Sequence, residues 1–93
     1  MMAFMLIFAA PSFAAESISL SKAAVYNSDI EDKALSSVML LSYYGEDYYL
    51  VPNDKAKELE KLVEHTINVK GTVSKDAEGR NVLTVTEYQE AFN

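Results

Sequence analysis

Apolar and polar residues alternate with period two in several short stretches of this chain, and this pattern predicts β-strands. The first stretch covers residues 15–27, where Ile18 and Leu20 alternate with serines. We expect a bulge near Ala23 and Ala24, where the alternation is interrupted before the strand continues.

Three further strands are predicted, one from an apolar run and two from the same alternation. Residues 35–44 form the second predicted strand, and its apolar centre is typical of a strand covered on both faces. Residues 67–73 alternate most regularly, and Gly71 falls on the inward face, where a coiled strand bends. Residues 82–86 form the last predicted strand, whereas residues 87–93 show no clear period.

A hairpin is predicted where two tyrosine pairs flank Gly45 and Glu46. Pairing Tyr44 with Asp47 leaves these two residues as a type II′ turn, in which glycine comes first. This register sets Tyr43 opposite Tyr48, Ser42 opposite Tyr49, Leu41 opposite Leu50 and Leu40 opposite Val51.

A short helix is predicted after the third strand, which Pro52 ends. Asn53 or Asp54 provides an N-cap side chain. One face of the helix is apolar and must pack against the sheet, because so short a helix is unstable alone. That face consists of Ala56, Leu59, Leu62 and Val63.

The order of the elements is three strands, one helix and two strands. Residues 48–51, 55–63, 67–73 and 82–85 resemble the corresponding elements of small exported bacterial OB-fold-like domains. The resemblance implies a mainly β, five-stranded OB-like barrel with the helix between strands 3 and 4, and a small α+β domain is the alternative. It carries no catalytic motif. The predicted common core is Leu59, Leu62, Ile67, Val69, Val73, Leu83 and Val85.

The N-terminal residues 1–14 have a different composition from the rest of the chain. They lack charge, and only Pro11 and Ser12 are not apolar. The apolar run is shorter than a membrane-spanning helix, and small residues precede Ala15. We therefore predict a signal peptide over 1–14, a single domain over 15–93, and a periplasmic or secreted product without membrane insertion. An apolar helix packed on the domain is the alternative.

Charge and composition narrow the classes of function. The net charge is −6, which opposes binding to nucleic acid, and we expect no such partner. The chain has no cysteine and one histidine, His65, which removes thiolate metal sites and multi-histidine metal sites. We expect no cofactor, no metal and no catalytic residue. Acidic loops around Asp29, Glu46 and Asp76 are expected to be solvated turns.

The tyrosines beside the predicted turn are the candidate ligand-binding residues. An exposed aromatic cluster on an OB-like sheet is a surface for stacking bases or sugars. The alternative is that Tyr43 and Tyr48 lie half-buried in the core while Tyr44 and Tyr49 cover the sheet. The candidates are Tyr43, Tyr44, Tyr48 and Tyr49.

The expected function is a non-enzymatic binding or interaction module of the bacterial cell envelope. Its partner would be an unidentified small ligand or an envelope protein, and the chain would be a monomer or a weak homodimer. A protein–protein adaptor that pairs through a strand edge is one alternative, and a small hydrolase is a weaker one.

Overall fold

The computed structural model describes residues 15–91, so the predicted signal segment lies outside the described residues. Five strands form a closed barrel in the order β1-β2-β3-β5-β4, with the helix between β3 and β4. This is the predicted mainly β, OB-like architecture. The elements are β1 Glu16–Asn27, β2 Val38–Leu41, β3 Asp47–Leu50, α1 Asp54–Leu59, a 3₁₀ turn Glu60–Leu62, β4 Thr66–Lys75 and β5 Asn81–Glu90.

The barrel closes through one parallel and four antiparallel contacts. β1 pairs with β4 along its first part and with β2 over its last four residues. β3 joins β5 in parallel through the pairs Tyr49–Val82 and Leu50–Leu83. The long antiparallel ladder between β4 and β5 covers most of both strands.

The predicted core is confirmed for five of its seven members. Leu59, Ile67, Val69, Leu83 and Val85 are buried together, whereas Val73 and Leu62 are half-buried against that cluster. Ala56 and Leu59 bury the helix face, and the Asn53 side chain caps the helix by accepting from the backbone N–H of Ala56 at 2.8 Å.

Two bulges reverse which residues face inward. In β1 the register shifts between Leu20 and Ala23, directly before the predicted position, and Lys22 has a φ of +57°. In β5 the pairing register shifts opposite Lys70 and Gly71, and beyond this bulge the strand continues past its predicted end at residue 86 to Glu90. The sequence after Thr86 lacked an apparent period because the bulge changes the inward-facing positions from odd to even.

The second strand and its hairpin differ from the prediction. β2 is only four residues long, and a serine side chain accepts from a backbone N–H group at each end: Ser36 from that of Val38, and Ser42 from that of Tyr44. Leu41 pairs with Asp47, so the loop spans residues 42–46 and the predicted two-residue turn is wrong. Tyr48 therefore lies opposite Leu40, and Tyr49 opposite Met39.

Candidate functional site: the edge of β1 and the aromatic turn

The four candidate tyrosines fall into two classes. Tyr43 and Tyr44 have 69% and 88% of their surface exposed, whereas Tyr48 and Tyr49 have 5% and 9%. The division follows from the hairpin register, which places Tyr43 and Tyr44 in the loop and the other two within β3. The structure thus does not bring the four rings together on one exposed face.

The two tyrosines of β3 are held by carboxylates. Tyr48 donates its hydroxyl to Glu46 at 3.2 Å, and burial together with this carboxylate raises the pKa of Tyr48. Tyr49 donates to Asp29 at 2.9 Å, and this hydrogen bond raises the pKa of Tyr49. The Arg80 guanidinium lies 5.6 Å from the centre of the Tyr49 ring. Neither ring presents a free face to a ligand in this arrangement.

Two of the acidic loops meet around Arg80. Its guanidinium contacts Asp76 at 2.6 Å, Asp32 at 3.2 Å and Glu78 at 3.2 Å. Burial alone would raise the pKa of Asp76, but hydrogen bonds from the backbone and side chain of Arg80 outweigh it and lower that pKa. The contacts join the β1–β2 loop to the β4–β5 loop. Within residues 15–91, no group of three or more potential ligands is arranged to hold a metal ion.

The turn over residues 42–46 fixes the direction of the two exposed rings. The buried Ser42 hydroxyl accepts from the N–H of Tyr44 at 3.2 Å and of Glu46 at 3.0 Å. Gly45 has a φ of +89°, which favours glycine. The rings of Tyr43 and Tyr44 meet edge to face, with centroids 5.5 Å apart. They are therefore held outside the barrel as one aromatic projection.

A groove of about 410 Å³ separates this aromatic turn from β1. Its polar and apolar groups come from the bulged part of β1 on one side and from the turn on the other. The lining residues are Ser19, Leu20, Ser21, Lys22, Ser42, Tyr43 and Tyr44. At the bulge, the N–H of Lys22 donates to the Asn68 side chain at 3.0 Å, which fixes this wall of the groove to β4.

The wall that β1 contributes is a strand edge. β2 pairs only with residues 24–27 of β1, and over the described part of the chain no other strand pairs with that side of residues 16–23. The half of β1 that starts at Glu16 therefore extends past the end of the short β2–β3 hairpin.

The direction of the backbone groups on this edge follows from the bonds of Val25. Its N–H donates to the His65 carbonyl at 2.9 Å, and its carbonyl accepts from Glu64 at 2.7 Å, so Val25 faces β4. Direction alternates along a strand, and the bulge adds one residue between Leu20 and Ala23. The residues whose N–H and C=O groups face away from β4 are Ser17, Ser19 and Ser21.

His65 lies elsewhere, at the start of β4. Its Nδ1 is 3.0 Å from the Glu90 carboxylate, and both side chains are largely exposed. The neighbouring Glu64 has a φ of +74°, so a glutamate occupies the left-handed position at the helix end, where glycine is favoured.

Sequence reasoning missed the serine-rich edge, although its signal is visible. The serines at 17, 19 and 21 alternate with two apolar residues, which marks one polar face but does not show whether the strand has a neighbour on each side.

No helix within residues 15–91 combines the length and apolar character needed to cross a membrane. No protein-family model matches the sequence, and comparison with curated proteins and with solved structures also found no match.

Proposed function

We propose that this chain is a non-enzymatic binding module of the bacterial cell envelope that takes up an extended polypeptide segment beside β1. The observation that carries the proposal is the unpaired edge of residues 16–23, with the exposed Tyr43 and Tyr44 across a groove of about 410 Å³. Backbone hydrogen bonds to such an edge provide affinity, and the alternating side chains of the added strand provide specificity.

The groove offers what an added strand requires. The N–H and C=O groups of Ser17, Ser19 and Ser21 give hydrogen-bonding positions in the plane of the sheet. The rings of Tyr43 and Tyr44 stand on the opposite side, where they can pack over one face of the incoming segment. Prolines and bulges hinder the addition of a strand to an edge; residues 16–23 contain no proline, and the bulge lies at their far end, between Leu20 and Ala23.

The charge of the groove supports a polypeptide rather than a nucleic acid. Lys22 is the one basic residue in its lining, and the chain carries a net charge of −6. Nonspecific affinity for phosphate backbones depends on several lysine or arginine contacts, which this lining does not provide.

The non-enzymatic part of the proposal rests on the chemistry of the groove. Its lining offers hydroxyls, two phenol rings and one ammonium group, with no carboxylate–carboxylate or histidine pair for proton transfer. The envelope part rests on the apolar residues 1–14 and the small residues before Ala15.

The test is titration of the ¹⁵N-labelled protein, kept at low micromolar concentration, with a short peptide of alternating Thr and Val that has Lys at both ends. We expect amide shifts at Ser17, Ser19 and Ser21, together with shifts of the Tyr43 and Tyr44 rings. The same peptide with a central proline is the control. It should bind at least about fivefold more weakly, because a lost ladder bond and a disfavoured strand conformation cost ~1 kcal/mol or more.

Two variants locate the contact. Ser19→Pro removes the central N–H of the edge and should abolish peptide binding, whereas Ser19→Ala retains the N–H and should bind as the parent does. Binding that maps away from the groove, or no binding of the peptide, would contradict the proposal. Saturable binding of an N-acetylglucosamine tetramer in the groove, without peptide binding, would replace it with a saccharide site.

A further inference from the structure

The unpaired edge of β1 is complementary to itself. Building on the proposed function, we infer that the strand it takes up is β1 of a second copy, antiparallel and related by a two-fold axis at Ser19. A two-fold interface requires that one surface patch match itself, and the residues around Ser19 meet this requirement in backbone direction, side-chain polarity and charge.

The backbone satisfies the symmetry first. Antiparallel strands exchange hydrogen bonds only between residues that both face the partner. With the axis at Ser19, this residue lies opposite the partner's Ser19, and Ser17 lies opposite the partner's Ser21. All three residues face the free edge, so each of these opposed pairs can exchange two hydrogen bonds. An axis at Ile18 also pairs outward-facing residues, so backbone direction alone does not choose the register.

The side chains are also compatible with the register at Ser19. On the inward face, Ile18 lies opposite the partner's Leu20, and both residues are half-buried against the barrel core. On the outward face, only serines meet across the interface. In the dimer the apolar face of each β1 therefore continues into the apolar face of the other, the serine faces do the same, and no charged side chain is buried.

Charge gives the third and most specific match. In this register the exposed Glu16 lies opposite the partner's Lys22, and symmetry makes the pair occur twice. Moving the axis to Ile18 places Glu16 opposite the partner's Leu20, and moving it to Leu20 places Lys22 opposite the partner's Ile18. The register at Ser19 is the one of these three that joins the two charges at the ends of the serine-rich segment.

The aromatic turn lies beside the same contact. Tyr43 and Tyr44 line the groove opposite residues 19–22, so each turn covers the strand contributed by the other copy. One strand pair with two aromatic contacts is smaller than a stable protein interface, and each copy carries a charge of −6. We therefore expect a weak dimer, with a dissociation constant on the order of 0.1–1 mM.

The test measures self-association by sedimentation equilibrium up to millimolar protein. The protein is produced from its full sequence, and intact mass records the first residue of the species used. Glu16→Lys and Lys22→Glu should each weaken association about tenfold, because each places like charges at both ends of the interface. The double variant should restore parental association, since it re-creates two opposite-charge pairs.

Edge variants provide the matched controls. Ser19→Pro should give a monomer with an unchanged circular dichroism spectrum, because the lost N–H has no partner within β4. Ser19→Ala should associate as the parent does. A parent that stays monomeric at millimolar concentration would overturn the inference, as would charge effects that accumulate in the double variant instead of cancelling.

The two proposals fail separately. A monomeric parent that still binds the Thr–Val peptide at the β1 edge removes the self-pairing and retains the strand-binding function. A dimer insensitive to Ser19→Pro removes the self-pairing at this edge, and peptide titration then decides the function. Absence of both dimerisation and peptide binding removes both proposals.

Discussion

A methyl group added at Gly71 tests how closely β4 and β5 approach at their bulge. A Cβ atom at this position lies 2.1 Å from the carbonyl oxygen of Thr84, 3.0 Å from its carbon and 3.1 Å from the Cα of Val85. Ordinary contact begins at 3.4 Å, so the oxygen is 1.3 Å too close. All three atoms belong to the backbone of a paired strand, and no side-chain rotation relieves the overlap.

The expected cost of Gly71→Ala follows from how the clash is relieved. The two strands must separate locally, which overpacks the interior and weakens one or two ladder bonds, at ~3–4 kcal/mol together. The lower backbone entropy of unfolded alanine returns ~0.5–1 kcal/mol. The net loss is about 2–3 kcal/mol, a large part of the ~5–15 kcal/mol that stabilises a typical domain, and it lowers Tm by roughly 10–20 °C.

Urea denaturation followed by circular dichroism measures this loss, with Gly79→Ala as the control. A Cβ at Gly79 meets nothing within 4 Å, but its φ of +80° disfavours alanine. The control should lose only about 1 kcal/mol, from backbone strain alone. A Gly71→Ala midpoint within error of the parent, or a smaller loss than in the control, would refute the close approach of the strands.

Four further outcomes are expected. Asn53→Ala should cost ~1–2 kcal/mol in urea denaturation, because the side chain caps the helix and also donates to the Val85 carbonyl; an unchanged midpoint would contradict this role. The pKa of Asp76 is lowered in the folded protein, so its bond to Arg80 contributes full stability above the ordinary pKa of 3.8. This contribution is lost as the pH falls through the lower pKa of the folded state. Asp76→Asn should therefore flatten the acid limb of the plot of unfolding free energy against pH. Exported protein should begin at Ala15 by intact mass, and a retained N-terminus would exclude the signal peptide. A labelled oligonucleotide of about 16 nucleotides should show no anisotropy change at physiological salt, and salt-sensitive binding would refute this.

The architecture could be predicted because the order of elements and the inward residues are local patterns. Period-two alternation identified β1, β4 and β5, and a run that is apolar on both faces identified β2. The turn residues Gly45 and Glu46 identified the hairpin that leads to β3, and the spacing of Ala56 and Leu59 identified the helix face. These patterns are sufficient for an OB-like barrel because a five-stranded sheet with one helix in this order closes on itself.

The register of the β2–β3 hairpin was harder to predict from the sequence because it depends on competing hydrogen bonds. The sequence around Gly45 suits a two-residue turn, but the Ser42 hydroxyl satisfies two backbone N–H groups and makes a longer loop favourable. The longer loop takes Tyr43 and Tyr44 out of the predicted second strand and leaves them exposed, whereas Tyr48 and Tyr49 lie in β3 as predicted. The composition of the tyrosine cluster could therefore be seen in the sequence, but its division into two classes could not.

The unpaired edge of β1 could not be predicted from the sequence, for a different reason. Alternation shows that β1 has a polar and an apolar face, yet a strand with two neighbours and a strand with one give the same alternation. The edge exists because β2 ends at Leu41 while β1 starts at Glu16, and that mismatch is set by the serine-stabilised loop far along the chain. The loop that shortens β2 also carries the two exposed tyrosines. The turn over residues 42–46 is held by the Ser42 hydroxyl together with backbone bonds from Ser42 to Glu46 and from Gly45 to Ser42. It ends β2 and places the aromatic rings beside the free edge, which is why we propose this groove as the binding site.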